Sequence, residues 1–193
     1  MNKWICAVSL IIGFGINAQA DECKFAPPAA ITHTPAPINS QRLVLAGPNK
    51  LELGLGQTPV TLAQSKDMLI ARYSNGATFS SRQLSLSEVR SGAESTLSLP
   101  DFIRLVFQGD VPKASTEDNQ EAQAIRAGLK LGCSHPSYRE VDGVEVFAYT
   151  QTRTGGERYH GYYILDGSIV HYIDISATDA FANQIISTLH KRN

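Results

Sequence analysis

Three strand patterns in the last third of the chain constrain the fold more than any other feature. Apolar and β-branched residues dominate 144–151, 159–165 and 168–176. An Asp-Gly pair between two apolar runs is a strong signal for a two-residue hairpin turn, and Asp166-Gly167 separates the last two patterns. The patterns therefore predict an antiparallel meander in which Tyr162 lies opposite His171.

Earlier segments predict further short strands and three helices. Five strand patterns, separated by turn residues, lie at 42–46, 51–55, 60–63, 68–73 and 77–81. Helices are predicted to begin at capping residues, namely Ser98, Ser115 or Thr116, and Thr178. The predicted fold class is α+β, with an antiparallel meander sheet packed against helices on at least one face.

This order of strands, helices, three-stranded meander and closing helix is similar to the PsbP-like sandwich. The similarity is one of topology and includes no signature motif. It therefore assigns a function to no residue of this chain.

The first 20 residues are typical of an export signal. A basic start at Met1-Asn2-Lys3 precedes an apolar stretch and the small-residue box Ala18-Gln19-Ala20. The apolar stretch is shorter than the roughly 20 residues that a membrane-spanning helix needs. We expect a signal peptide at 1–20, a Pro-rich extended arm at 21–40 and a single α+β domain at 41–193, in a periplasmic or secreted protein without a membrane anchor.

Two cysteines would remain after removal of the signal, Cys23 and Cys133. An isolated pair in an oxidising compartment usually forms a disulfide, so we predict a Cys23–Cys133 bond. Free thiols or an intermolecular bond are the alternatives.

Charge and motifs exclude several functional classes. The chain has 17 basic and 18 acidic residues, and the basic residues are scattered, which argues against nucleic-acid binding. Metal-binding, nucleophile and phosphate-loop motifs are absent. We therefore predict a protein that is not an enzyme and has no cofactor.

The histidines of the last two strands are weak candidates for chemistry. The predicted register places His160, Tyr162 and His171 on one sheet face, with the histidines about 7 to 8 Å apart as diagonal neighbours. Such a group suits metal binding or acid–base catalysis. The alternative is a structural role, since isoleucines share that face.

A group of tyrosines and arginines is the predicted binding surface. Its residues are Arg153, Arg158, Tyr159, Tyr163 and Tyr172. Tyrosine and arginine supply large contact areas and directional bonds in protein interfaces. The alternative is that tyrosines favour strands and arginines favour exposed loops.

These observations favour a non-catalytic protein-binding domain of the bacterial periplasm. The concrete hypothesis is an inhibitor or immunity protein whose partner is an envelope-acting toxin or hydrolase. The alternatives are a small hydrolase or metal-binding protein using His160 and His171, and a small-ligand carrier with a pocket between sheet and helix.

Overall fold

The computed structural model describes residues 24–28, 30–32, 34–90, 97–134, 136–153 and 155–192. The predicted signal peptide lies outside these residues. The strands are β1 (Ala30–Thr32), β2 (Arg42–Val44), β3 (Leu51–Gly54), β4 (Thr61–Gln64), β5 (Met68–Arg72), β6 (Thr78–Leu84), β7 (Ser137–Val141), β8 (Val144–Thr152), β9 (Arg158–Asp166), β10 (Ile169–Ser176) and β11 (His190–Lys191). The helices are α1 (Leu86–Val89), α2 (Leu99–Gln108), α3 (Thr116–Gly128) and α4 (Asp179–Ile186).

The described strands form two sheets. The large sheet has the order β1-β7-β8-β9-β10-β6-β5-β4, and its neighbours are antiparallel except for the parallel pair β1–β7. The small sheet has the order β11-β3-β2 and is antiparallel. The α+β class and the meander β8–β9–β10 are confirmed, while the similarity to a PsbP-like sandwich stays a prediction.

Both faces of the large sheet carry a hydrophobic core. On one face, residues such as Phe79, Ile164 and Ile173 pack against the small sheet and α4. On the other face, residues such as Phe147 and Val170 pack against α2 and α3. Since the central strands are buried on both sides, they are nearly continuous apolar runs and do not alternate with polar residues. We call these two sides the small-sheet face and the helix face.

The predicted helix starts are confirmed by their caps. Ser98 Oγ accepts a hydrogen bond from the Asp101 N–H at 3.3 Å, and Thr178 Oγ1 accepts from the Phe181 N–H at 3.3 Å. At Ser115 the cap is reciprocal, because the Asp118 N–H donates to Ser115 Oγ at 3.0 Å and the Ser115 N–H donates to Asp118 Oδ2 at 2.9 Å.

The register of the β9–β10 hairpin differs from the prediction. Asp166 is a strand residue paired with Ile169, so the two-residue turn is Gly167-Ser168. Gly167 has φ +67°, and a single glycine with positive φ at the first turn position is typical of a type II′ turn. As a result Tyr162 lies opposite Ile173, and His171 lies opposite Ile164.

Four short elements had no prediction: β1, β7, β11 and α1. The β7 sequence Ser-Tyr-Arg-Glu-Val carries two charges, and β11 has two residues, so neither shows a clear apolar pattern. The predicted arm contains β1, which pairs with β7. Beyond that strand the described arm is irregular, as its prolines favour.

Candidate functional site

The observed register separates the two candidate histidines. His160 pairs with Ile175 and His171 pairs with Ile164, so four residues along the strand separate them. At about 3.4 Å per residue along the strand, and with the spacing between neighbouring strands added, their Cα atoms are about 14 Å apart. The predicted diagonal contact between the histidines is therefore wrong. In the part of the chain that the structure describes, no three His, Cys, Asp or Glu side chains form a group able to hold a metal ion.

His160 has a hydrogen-bond partner at each ring nitrogen. Its Nδ1 lies 3.1 Å from the Thr150 hydroxyl oxygen, and its Nε2 lies 3.3 Å from the Ala177 carbonyl oxygen. Burial lowers the pKa of this imidazole. A neutral ring that donates to Ala177 and accepts from Thr150 satisfies both contacts, so His160 has a structural role.

His171 is equally buried but lacks such partners. Its Nε2 lies 3.7 Å from Asp166 Oδ2, which is longer than a hydrogen bond, and both atoms are buried without a partner. Burial lowers the pKa of His171, and the charge of Asp166 opposes that shift. The other carboxylate oxygen, Oδ1, accepts from the backbone N–H and the side-chain amide of Asn49 at 3.2 and 2.5 Å.

The turn that follows β2 covers this Asp–His pair. Gly47 lies so close that a Cβ at this position would overlap Asp166 Oδ2 and approach His171 Nε2 to 3.3 Å. Only glycine fits there without moving the carboxylate. The turn thus covers one side of the His171 ring and does not cover the other side.

The other side of the His171 ring borders an open groove of about 650 Å³. One wall is β2 with the residues that follow it, and the other wall is the β4–β5 turn and β6. The groove is lined by Leu43, Val44, Leu45, Ala46, Gln64, Ser65, Lys66, Asp67, Met68, Leu69, Ser81, Arg82, Gln83, Leu84, Ser85, Glu88 and His171. Sequence reasoning had singled out only His171 among these residues, because the groove forms between two sheets whose relative position no local pattern encodes.

The predicted tyrosine group lies on the helix face and is largely packed. Tyr172 is 7% exposed, and its hydroxyl is hydrogen-bonded to those of Tyr149 and Tyr159. Tyr163 is half-buried, and its ring centroid lies 5.4 Å from that of Phe107. Burial raises the phenol pKa values, so the group stays protonated. Tyr163 and Tyr172 thus offer little exposed area, and their role in binding stays a prediction.

The two predicted arginines lie on opposite faces. The Arg153 guanidinium stacks 4.0 Å from the centroid of the Tyr159 ring, on the helix face. Arg158 precedes Tyr159 in β9, and successive strand residues point to opposite sides. Its Nε lies 2.9 Å from Asp179 Oδ1, beside α4. The structure therefore brings Arg153 to the tyrosines and separates Arg158 from them.

Beyond the tyrosines, the helix face continues as a partly exposed surface over β6, β5 and β4. Across this surface Tyr172 pairs with Arg82 on the neighbouring strand. Asp174 pairs with Ser80, which in turn pairs with Ile70. Ile70 is 39% exposed, Ser80 hydrogen-bonds to Asp174, and Arg82 lies 5.6 Å from the Tyr172 ring centroid. We call Ile70, Ser80, Arg82 and Asp174 the open sheet face. It is continuous with the predicted tyrosine surface.

The structure leaves the predicted disulfide as a prediction. Cys133 is exposed and lies shortly after α3. Both other cysteines lie outside the described residues, so the pairing with Cys23 is untested. No helix among the described residues is long and apolar enough to span a membrane.

Comparisons with known proteins assign no family. No family model matches the chain, and no curated protein matches it. A protein from Bacteroides thetaiotaomicron with a crystal structure aligns with 10% identity and a TM-score of 0.37, over 81% of this chain and 50% of that chain. This chain therefore spans half the length of that protein, and a similarity of this size carries no argument about fold or function.

Proposed function

We propose that this chain is an exported, non-catalytic protein-binding domain of the bacterial periplasm. Its concrete role would be that of an inhibitor or immunity protein that neutralises an envelope-acting toxin or hydrolase. The observation that carries the proposal is the open sheet face beside the Arg153–Tyr159 stack. In β8 and β9, by contrast, both faces of the large sheet carry buried apolar side chains.

The chemistry of this surface suits a protein partner. Arg153, Tyr159 and Arg82 combine aromatic area with guanidinium donors, the side chains most enriched in interface hot spots. Ile70 adds exposed apolar area. Ala63 of the edge strand, which pairs with Ile70, is exposed beside it. Burying these apolar side chains would favour association.

The enzyme alternative has lost its main support. It required His160 and His171 to act together, and the observed register places them about 14 Å apart. His160 already uses both nitrogens within the fold. A recognition role needs neither residue.

The test compares two arginines of the same chain. Arg153→Ala removes a residue of the proposed surface, and Arg158→Ala removes an exposed arginine from the opposite face. Co-purification of the exported protein from its own periplasm should recover a stoichiometric protein partner. The Arg153 variant should lose about 2 kcal/mol of affinity, as expected for a hot-spot arginine.

The control variant should keep that affinity, and both variants should keep the melting temperature within a few degrees. Equal losses for Arg153→Ala and Arg158→Ala would contradict the proposed surface. Recovery of the exported protein alone, under conditions that preserve complexes, would contradict the proposed function itself.

A further inference from the structure

We propose that the groove beside His171 binds an extended peptide segment, which adds as a strand to the free edge of β2 and places a hydrogen-bond-donor side chain against His171 and Ser81. The groove lies on the small-sheet face of the large sheet. Its lining includes Arg82 of the open sheet face, but His171, Ser81 and the β2 edge do not belong to that face. Its occupant is defined independently of the function proposed above.

The first observation is a pair of unpartnered polar groups at the groove floor. His171 is 3% and Ser81 is 7% exposed, and both line the groove. Among the described residues no hydrogen bond joins the Ser81 hydroxyl to another group. The buried His171 atom without a hydrogen bond is Nε2, which faces Asp166. The groove side therefore offers the Ser81 hydroxyl and the remaining edge of the His171 ring as polar contacts for a ligand.

The second observation concerns the direction of the His171 ring. Its Nε2 faces the Asp166 carboxylate, which leaves Nδ1 as the nitrogen on the groove side. A neutral imidazole with its proton on the carboxylate side presents an acceptor at Nδ1. The floor therefore combines an acceptor nitrogen with a hydroxyl. A serine, threonine, asparagine or glutamine side chain supplies the matching donor.

The third observation is the free edge of β2. Leu45 N–H donates to the Leu51 carbonyl and Leu55 N–H donates to the Gln41 carbonyl, both at 2.8 Å. In an antiparallel pair the hydrogen-bonded positions alternate, so the backbone groups of Arg42 and Val44 point away from β3.

Strand β2 is the last strand of the small sheet, and Val44 borders the groove. An exposed row of backbone donors and acceptors is a template for strand addition. Leu43, Leu45 and Leu69 provide apolar contacts beneath an added strand. Backbone bonds would supply affinity, and the polar floor would supply side-chain preference.

The experiment selects peptides from a random linear peptide library on the exported wild-type protein. Val44→Pro is the blocking variant, because proline removes the N–H that points away from β3 and is tolerated at such an edge. Val44→Thr is the matched control, since it keeps the N–H and the β-branched shape. Selected peptides should bind Val44→Pro at least about tenfold more weakly, and Val44→Thr within about twofold.

A second arm tests the polar floor. Replacing the donor residue of a selected peptide by alanine should weaken binding to wild type about tenfold and weaken binding to Ser81→Ala much less. Equal losses against both proteins would overturn the floor assignment. Selection that yields no peptide, or peptides that bind Val44→Pro as well as wild type, would overturn the proposal.

Hydrogen exchange on the wild-type protein keeps the test decisive if Val44→Pro does not fold. The Val44 amide should exchange rapidly in the free protein and slowly with a selected peptide bound. An amide that exchanges at the same rate in both states would rule out strand addition at β2. Neither readout involves Arg153 or the open sheet face, so failure here is distinct from failure of the proposed function.

Discussion

Each end of the β9–β10 hairpin buries a histidine side chain, and the two histidines differ in their hydrogen bonds. His160 lies at the open end of the hairpin and His171 near its turn, both on the small-sheet face. Both rings are almost fully buried, and burial lowers both pKa values. His160 has a partner at each nitrogen, whereas His171 faces Asp166 across 3.7 Å without a hydrogen bond.

The difference lies in what the neighbouring loops provide. At the His160 end, the residues before α4 supply the Ala177 carbonyl, and β8 supplies the Thr150 hydroxyl. At the His171 end, the turn after β2 uses its donors on Asp166 Oδ1 and offers none to the imidazole. Residue type and burial are therefore the same for the two histidines, and the number of hydrogen-bond partners is what separates them.

The largest expected effect comes from adding a side chain at Gly47, beside Asp166 and His171. Gly47→Val should destabilise the fold by about 3 kcal/mol, because the new side chain overlaps Asp166 and displaces it from Asn49. Urea unfolding followed by circular dichroism measures this change. Gly128→Ala is the control, since a Cβ there meets no atom within 4 Å. A Gly47→Val protein as stable as wild type would show that Asp166 is not held in place.

A smaller effect is expected from replacing each of the two histidines by leucine. His160→Leu should cost about 2 kcal/mol of unfolding free energy, because it leaves the buried Thr150 and Ala177 oxygens without their partner. His171→Leu should cost less than about 1 kcal/mol, because no hydrogen bond is lost. Urea unfolding of both variants measures the difference. Equal losses would mean that the two ends are equivalent and that the contrast drawn above is wrong.

Much of the fold follows from local sequence signals. The caps at Ser98, Ser115 and Thr178 set the helix starts, because an unsatisfied helix N-terminus needs a side-chain acceptor close in sequence. The strands of the meander are long and apolar enough to identify. The elements without a prediction, such as β7 and β11, are held by pairing with distant strands and lack a pattern of their own.

The candidate site was less predictable because it depends on long-range geometry. The predicted hairpin turn was one residue too early on the chain, and a shift of that size moved His171 from Tyr162 to Ile164. The shift kept every residue of the hairpin on its predicted face of the sheet. The shared face of the two histidines was therefore predicted correctly, while their proximity was not. Strand alternation alone was sufficient to separate Arg158 from Tyr159, although the composition of the segment suggested a single patch.

The smallest expected effect is on the pH dependence of stability, and it tests whether the two histidines differ in charge behaviour as well as in bonding. Burial lowers the folded-state pKa of both below the unfolded value of about 6.5. Between those values the unfolded chain binds more protons than the folded chain, so each histidine removes stability as the pH falls from 7 to 5. His160→Gln and His171→Gln should each make the unfolding free energy decline less steeply with falling pH. The change in slope should be at most that produced by the uptake of one proton. Urea unfolding at several pH values measures it. A steeper decline in His171→Gln than in wild type would mean that protonated His171 closes on Asp166 and stabilises the acid form, which would reverse the assignment of a neutral ring with an acceptor in the groove.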